Sequence, residues 1–463
     1  MIQAVVGSGG KTTLIHRLAE EYRAQGKKVF VTTTTHMRIE ADTLLTDDPR
    51  SIIQALEETG YVMAGIREGE EKIRALPREV YEAVCAHADA VLVEADGSRG
   101  LPLKFPSGSE PVIPANADEI LVVCGLNALG RPAREVCHRL ELVTACLDIP
   151  EDTLITPAHV QRLVTEGYLR PLRARCPDKK VVLMPRTDGS LYQRAVASLL
   201  RQEQDVSLLK KEWFCPQPRL IVCGGGHVSR EVAALAARLD FTTRVIDERP
   251  ELLTRERFPT ADELICDSYD NLEQHLEPGA CYVVVTPNHK ADFRCVAAIL
   301  STDYAYLGMM GSKRKVAATF EQLRLEGFSQ QQIDTIFAPI GLPIGAVTPA
   351  EIALSILAQI IEQKNRHHIA SADRSLLETT EQGVLCIVIE KHGSVPRGVG
   401  SMMLVTADHI LGSIGGGEGE YRAICHAREG AGLDIQTYAL HNDAAGGLDM
   451  VCGGTMKVLF LPV

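Results

Sequence analysis

The stretch Ala4–Leu14 reads AVVGSGGKTTL. An apolar run enters Gly7, Ser8, Gly9 and Gly10, then Lys11, Thr12 and Thr13, and an amphipathic pattern follows with Leu14, Ile15, Leu18 and Ala19. Strand, glycine loop, Lys-Thr-Thr and helix in that order form the context a phosphate-binding loop requires. Glycines let successive backbone N–H groups turn toward a phosphate. The helix adds the positive end of its dipole. Lys11 is positioned to meet the β- and γ-phosphates, and the Thr12 hydroxyl to help hold Mg²⁺. The expected ligand is ATP or GTP with Mg²⁺. The expected fold of this part is a mainly parallel α/β sheet of the P-loop NTPase kind.

Working outward, apolar runs recur at Ile2–Val6, Val29–Val31, Ala90–Val93, Ile120–Val123 and Val181–Met184, with helical patterns between several of them. That alternation predicts parallel strands with helices on both faces. Val29–Thr35 reads VFVTTTT and Val91–Ser98 reads VLVEADGS. Hydroxyls at the carboxyl end of a parallel strand face the ligand crevice. Acids at a strand end suit a metal-side role, so Lys11, Glu94 and Asp96 are the expected catalytic set, with Thr12 and Asp96 on Mg²⁺. The expected phosphate contacts are Gly7, Gly9, Gly10, Lys11, Thr12 and Thr13. The later strand ends in PRTD, where a guanine-reading loop would have Asn-Lys-x-Asp, and only Asp188 fits.

A second alternating region opens with LIVCGGGHVS (Leu220–Ser229), continues through Thr243–Ile246 and Cys281–Val285, and closes on the apolar helix Glu351–Ile361. Its Gly224, Gly226 and His227 precede a helix, and Asp247 ends the next strand. This spacing suits a Rossmann-like dinucleotide fold, although Ser229 stands at the third glycine. NAD(P) is therefore a possible ligand on spacing alone. Gln202–Arg219 and Lys364–Ser371 read as linkers. The last region is Gly-rich, with strands expected at Val384–Ile389, Met402–Val405 and Met456–Leu461. Three domains are expected, at 1–204, 218–364 and 372–463.

The formal net charge is −12, which argues against general nucleic-acid binding. No apolar run reaches the ~18 residues of a membrane span, and the amino terminus lacks a signal-peptide pattern. The 13 cysteines are odd in number and contain no CxxC pair. Reduced thiols in a cytoplasmic protein are expected.

The compact GSGGKTT loop is similar to that of Mur ligases. Taken with VFVTTTTHM, VLVEADGSRGLPLK and EPVIP, the first 200 or so residues resemble the YqeC family of accessory proteins for selenium-dependent molybdenum hydroxylases. The resemblance implies NTP binding and brings Lys104 and Glu110 into the same pocket. A histidine is usual before EPVIP in that family, and this chain has Ser109.

TPNHKAD (Thr286–Asp292), LGMMGSKRK (Leu307–Lys315) and Ala338–Ile361 resemble the Rossmann-like domain of the XdhC/CoxI family of xanthine dehydrogenase accessory proteins. GSVPRGVGSMMLV, GSIGGGEGEYRAI and MVCGGTMKVLFLP resemble that family's other, small Gly-rich α/β domain, here in permuted order. The resemblance implies molybdenum cofactor of the molybdopterin type as ligand. It places His289 and Asp292 near the crevice, and makes Gly311, Ser312, Lys313 and Arg314 an anion-binding element. In the last domain it selects Arg397, Gly415, Gly416, Gly417, Glu420 and Cys452. Arg397 can pair bidentately with an anion, Glu420 can accept from a pterin, and a thiolate is a soft ligand.

The resulting expectation is a maturation factor that also hydrolyses an NTP. Its partners would be a client molybdenum hydroxylase apoenzyme and proteins that transfer cofactor, sulfur or selenium. A homodimer is compatible; nucleic acid and membrane are not expected. The alternatives are an ATP-dependent ligase or kinase, an NAD(P)-dependent oxidoreductase, and a non-catalytic scaffold.

Overall fold

A computed structural model describes residues 1–214, 219–366, 372–393, 397–430, 432–439 and 454–463. They form two compact units: Met1–Lys210 together with Glu378–Val463, and Lys211–Leu377.

In the first unit, strands β1 (Ile2–Gly7), β2 (Val29–Thr33), β3 (Tyr61–Glu68), β4 (Ala90–Glu94), β5 (Glu119–Gly125) and β6 (Lys180–Arg186) lie in the order β6-β5-β1-β4-β2-β3. Every neighbouring pair among these six is parallel. Three short strands extend the sheet beyond or beside β3: Lys72–Arg74, His36–Arg38 and Thr43–Leu45. The central strands are covered on both faces, so Ala4, Val5, Val6, Val29, Phe30, Val31 and Leu92 have no exposed surface. That double burial is why these strands read as unbroken apolar runs rather than alternating ones. Helix α1 (Lys11–Ala24) buries Leu14, Ile15 and Ala19 against the sheet, one stripe of a 3.6-residue period. Helix α2 (Leu191–Arg201) follows β6.

The second unit carries β7 (Leu220–Cys223), β8 (Thr243–Asp247), β9 (Glu263–Cys266), β10 (Ala280–Val284) and β11 (Tyr304–Met309), all parallel, in the order β9-β8-β7-β10-β11. Helices α3 (His227–Arg238), α4 (His289–Leu300), α5 (Lys313–Leu325) and α6 (Pro349–Arg366) complete it. Alternate residues of one strand enter different cores. Ile221 and Cys223 pack with α4, while Leu220 and Val222 pack with α3 and α6. The strand order reverses between β7 and β10, and a Rossmann-like sheet opens its ligand crevice at that point.

The last segment, part of the first unit, is an antiparallel sheet of β12 (Val384–His392), β13 (Met402–Val405), β14 (Ile410–Gly412), β15 (Asp434–Ala439) and β16 (Thr455–Pro462), in the order β14-β13-β12-β16-β15. Helix α7 (Gly417–Arg428) packs on it through Ala423 and Ala427. Arg194 of α2 donates to the carbonyls of Glu381 (2.6 Å) and Thr379 (2.8 Å), tying the entry of this sheet to the first. The stretch before β7 is less loose than a linker reading implies: Trp213 and Phe214 are buried. No described helix is long and apolar enough to cross a membrane.

Candidate functional site

The loop between β1 and α1 is glycine by necessity. Gly7 has φ +89°, and a Cβ there would stand 2.1 Å from the Val123 carbonyl oxygen. A Cβ on Gly9 would fall 2.6 Å from both the Gly125 nitrogen and the Pro102 oxygen. The Ser8 N–H donates to Val123 O (2.9 Å), and the Gly7 N–H to Asp96 Oδ2 (3.2 Å). Among the described residues the N–H groups of Gly9, Gly10, Lys11, Thr12 and Thr13 have no acceptor. The first turn of α1 holds no acid. The result is a row of donors at the positive end of a helix.

Lys11 is buried under this row. Its Nζ donates to Gly7 O (3.0 Å) and Ser98 Oγ (3.1 Å), and lies 3.7 Å from Glu94 Oε1. Burial pushes the Lys11 ammonium down, with Glu94 and Asp96 opposing, and burial pushes the Glu94 carboxyl up, with Lys11 opposing. The Thr12 hydroxyl donates to Glu94 Oε2 (3.4 Å). Glu94 ends β4 in register with Val5 of β1, so strand pairing brings acid, lysine and threonine together.

Asp96 has a different place from the metal ligand that the sequence leads one to expect. It is fully buried. One oxygen takes Lys104; the other takes the Tyr168 hydroxyl (2.7 Å) and the Gly7 N–H (3.2 Å). Lys104 also pairs with Glu110 (2.6 Å), which Arg139 holds by one hydrogen bond (Nη2 to Oε1, 2.8 Å) and one further ion-pair contact at 2.8 Å. Burial raises the Glu110 carboxyl, yet Lys104 and Arg139 outweigh it and hold the group below its ordinary value. Both Asp96 oxygens are thus spent on a buried network behind the loop, and Glu94 is the acid beside Thr12. Of the four threonines after β2's apolar run, Thr32, Thr33 and Thr34 donate to the carbonyls of Ala64, Glu94 and Val112. The buried Thr35 hydroxyl has no partner among the described residues. Asp188 is used locally, accepting from the Ser190 N–H (3.0 Å) and Gln193 Nε2 (2.9 Å).

In the second unit the Gly224–Gly226 loop lies at the carboxyl end of β7. A Cβ on Gly224, at φ +118°, would stand 2.6 Å from Val285 O. Asp247 accepts from the Gly225 N–H (2.7 Å) and is held bidentately by Arg249 (2.8 Å twice). Asp247 is almost fully buried, so the acid read as a ribose ligand is occupied by its own chain. The N–H groups of Gly226, His227 and Val228 have no acceptor among the described residues, and neither does the fully buried Ser229 hydroxyl in the first turn of α3. His227 and His289 are exposed at the first positions of α3 and α4. Ser312 caps α5 by accepting the Lys315 N–H (3.3 Å). Asp292 faces inward, bonded to the Thr286 hydroxyl (2.5 Å) and paired with Lys315 (2.5 Å).

Families match in the same order. Residues 3–141 match the YqeC protein family, residues 220–360 the XdhC Rossmann domain, and residues 376–438 the XdhC and CoxI family. The chain is a YqeC-like and XdhC-family fusion. It is 33% identical over 184 residues to "Uncharacterized protein YqeB" of Escherichia coli (strain K12), covering 40% of this chain and 34% of that one. It is 35% identical over 144 residues to "Uncharacterized protein YqeC" of the same organism, covering 29% and 56%. It is 31% identical over 153 residues to a probable xanthine dehydrogenase subunit of Bacillus subtilis (strain 168), covering 33% and 44%. The chain therefore spans about a third to a half of the length of these relatives.

The XdhC and CoxI segment contains the third glycine loop. Gly415, Gly416 and Gly417 all have positive φ, at +135°, +74° and +70°. Here Glu420 turns back from α7, and one of its oxygens accepts from Ser413 Oγ (2.6 Å) and from the N–H groups of Ile414 (2.8 Å), Gly415 (3.1 Å) and Gly416 (3.0 Å). Burial raises the Glu420 carboxyl, but these donors outweigh it and hold it below its ordinary value. The acid expected to face a pterin therefore fills its own loop. Arg397 is exposed and reaches Ser413 O at 3.5 Å. Cys452 lies outside the described residues. Tyr168 and Arg186 lie beyond the YqeC-matched residues, and Tyr168 carries no motif that would have marked it in the sequence.

Proposed function

We propose that this chain is an accessory factor for molybdenum hydroxylases that binds a nucleoside triphosphate on the YqeC-like segment and a phosphate-bearing molybdenum cofactor on the XdhC-type segments. The observation that carries the nucleotide half is the loop itself. Among the described residues five consecutive N–H groups, those of Gly9 to Thr13, lack acceptors where the Lys11 side chain is buried. Mg²⁺ needs few protein ligands when phosphates supply the rest, and it would neutralise phosphate charge. Thr12 and Glu94 fit that role; Asp96, with both oxygens bonded, does not.

For the cofactor, the residues fit better at α3 than at α7. Among the described residues the N–H groups at the α3 terminus and the buried Ser229 hydroxyl have no partner, whereas Glu420 occupies the Gly415–Gly417 loop. Arg249 on Asp247 weighs against a dinucleotide held by its ribose. The client would be a xanthine dehydrogenase-type enzyme, in keeping with the XdhC-family match and the Bacillus subtilis relative.

Two measurements test this. Anaerobic co-purification with client, read as pterin fluorescence after oxidation, is expected to show cofactor on the full chain. No pterin on folded protein, with client and nucleotide both supplied, rejects the carrier role. Calorimetry with ATP and GTP is expected to show Lys11→Ala binding about 10- to 150-fold more weakly, the loss of one charge-assisted contact. Unchanged affinity would remove the nucleotide from this loop.

A further inference from the structure

The nucleotide reading leaves one cation at the same loop unassigned. Arg186 ends β6, in register with Gly125 of β5, and Gly125 in turn packs against Gly9. A Cβ on Gly10 would stand 3.4 Å from Arg186 Cγ and 3.5 Å from its Nε. The stem of Arg186 therefore lies across Gly10, at the lip of the open N–H row.

The guanidinium is partly buried, and among the described residues it has neither a hydrogen-bond nor an ion-pair partner. Its charged neighbours are Arg17 and Arg201. Arg201 likewise has no carboxylate among the described residues, and Arg17 holds only an exposed contact to Glu21 at 3.4 Å. A protein surface usually intersperses acids among arginines. Gathering like charges while stripping one of them of water is unfavourable unless an anion joins them. A guanidinium presents a planar fork of donors that matches phosphate oxygens in pairs. The N–H row of Gly9–Thr13 begins beside Arg186, since its stem packs over Gly10.

We propose that Arg186, flanked by Arg17 and Arg201, is a phosphate ligand of the nucleotide held at the Gly7–Thr13 loop, closing that loop from the β6 side. This rests on the nucleotide reading and adds a residue that the glycine motif does not contain. It also assigns the sequence PRTD a role in holding charge rather than in reading a base.

The test compares wild type, Arg186→Met and Lys11→Ala by calorimetry against ATP, GTP, the two nucleosides and inorganic tripolyphosphate, with thermal melts confirming that each variant folds. Arg186→Met keeps the stem over Gly10 and removes the donors. The expected result is a loss of about tenfold or more for triphosphates and tripolyphosphate alike. If triphosphate binding weakens while tripolyphosphate binding is unchanged, the guanidinium lies on the base and the proposal is overturned. If neither changes in Arg186→Met while Lys11→Ala weakens both, the nucleotide reading stands and the Arg186 assignment falls. If wild type takes tripolyphosphate through Arg186 but no nucleotide, the anion site stands and the nucleotide reading falls. If wild type binds neither, both fall.

Discussion

The Gly7–Gly10 and Gly415–Gly417 loops look alike in sequence and differ in what their backbone offers. Both have glycines at positive φ and both lead into a helix. Among the described residues the first leaves five N–H groups without acceptors, while at the second Glu420 takes the N–H groups of Ile414, Gly415 and Gly416. The difference traces to the first helical turn. That of α1 contains no acid, whereas that of α7 contains Glu418 and Glu420. A carboxylate four residues after Gly416 can fold back and act as the loop's own anion. The Gly224–Gly226 loop falls between them: Asp247, from the neighbouring strand, takes one N–H and leaves the α3 terminus open. A glycine run thus marks a place where backbone can approach an anion, and the nearby acids settle whether that anion is already part of the chain.

The comparison breaks most visibly at Asp96, which ties the first loop from behind. Asp96→Ala leaves Lys104 buried with Glu110 as its one remaining carboxylate, and loss of a buried partner costs about 3–5 kcal/mol. Urea unfolding at pH 7 should show a drop of that size; less than about 1 kcal/mol would mean that Glu110 alone satisfies the lysine. Glu420→Gln sharpens the contrast, because it weakens the internal anion of the other loop. A loss of about 1–2 kcal/mol is expected at pH 7. Since the folded carboxyl lies below its ordinary value, its contribution is complete above an unfolded pKa of about 4.3 and fades as pH falls through the lowered folded value. Stability curves of wild type and variant should therefore converge in acid; a gap that persists unchanged below pH ~3 would show that charge is not what Glu420 contributes. The last test is Gly416→Ala. Among the described residues nothing lies within 4 Å of a Cβ there, so the cost is the backbone's alone: φ +74° with ψ −178° is a region populated almost only by glycine, and alanine there costs about 1–3 kcal/mol. Thermal melts that show a much larger loss would place an unseen neighbour at this loop.

Much of the fold was legible because central parallel strands carry strong apolar runs. Ile2–Val6, Val29–Val31 and Leu220–Cys223 all read as strands and all lie inside sheets. The strands that escaped reading include β3, β9, β11, β14 and β15 and the three short strands beside β3. β9 and β15 are edge strands with mixed burial, and their sequences alternate too weakly to stand out from loops. That Lys11, Thr12 and Glu94 come together was legible from the order of the motifs. The buried network around Asp96 was legible only in part: the family resemblance brought Lys104 and Glu110 to the pocket, but Tyr168, 72 positions from Asp96, joins it through tertiary packing alone. Arg186 escaped for another reason: its stretch invites reading for Asp188, which turns out to cap the following turn.

The position of β16 has a consequence for how the chain is made. It lies between β12 and β15, so the last described strand is an interior member of its sheet. During translation, β12 and β13 can pair as a hairpin soon after they emerge. One long edge of β12 must then wait, unpaired, until residues 455–462 have left the ribosome. Unpaired strand edges recruit other strands. Nascent chains stalled between β15 and β16 would be the species most dependent on chaperones, and removal of β16 should convert a folding protein into an aggregating one.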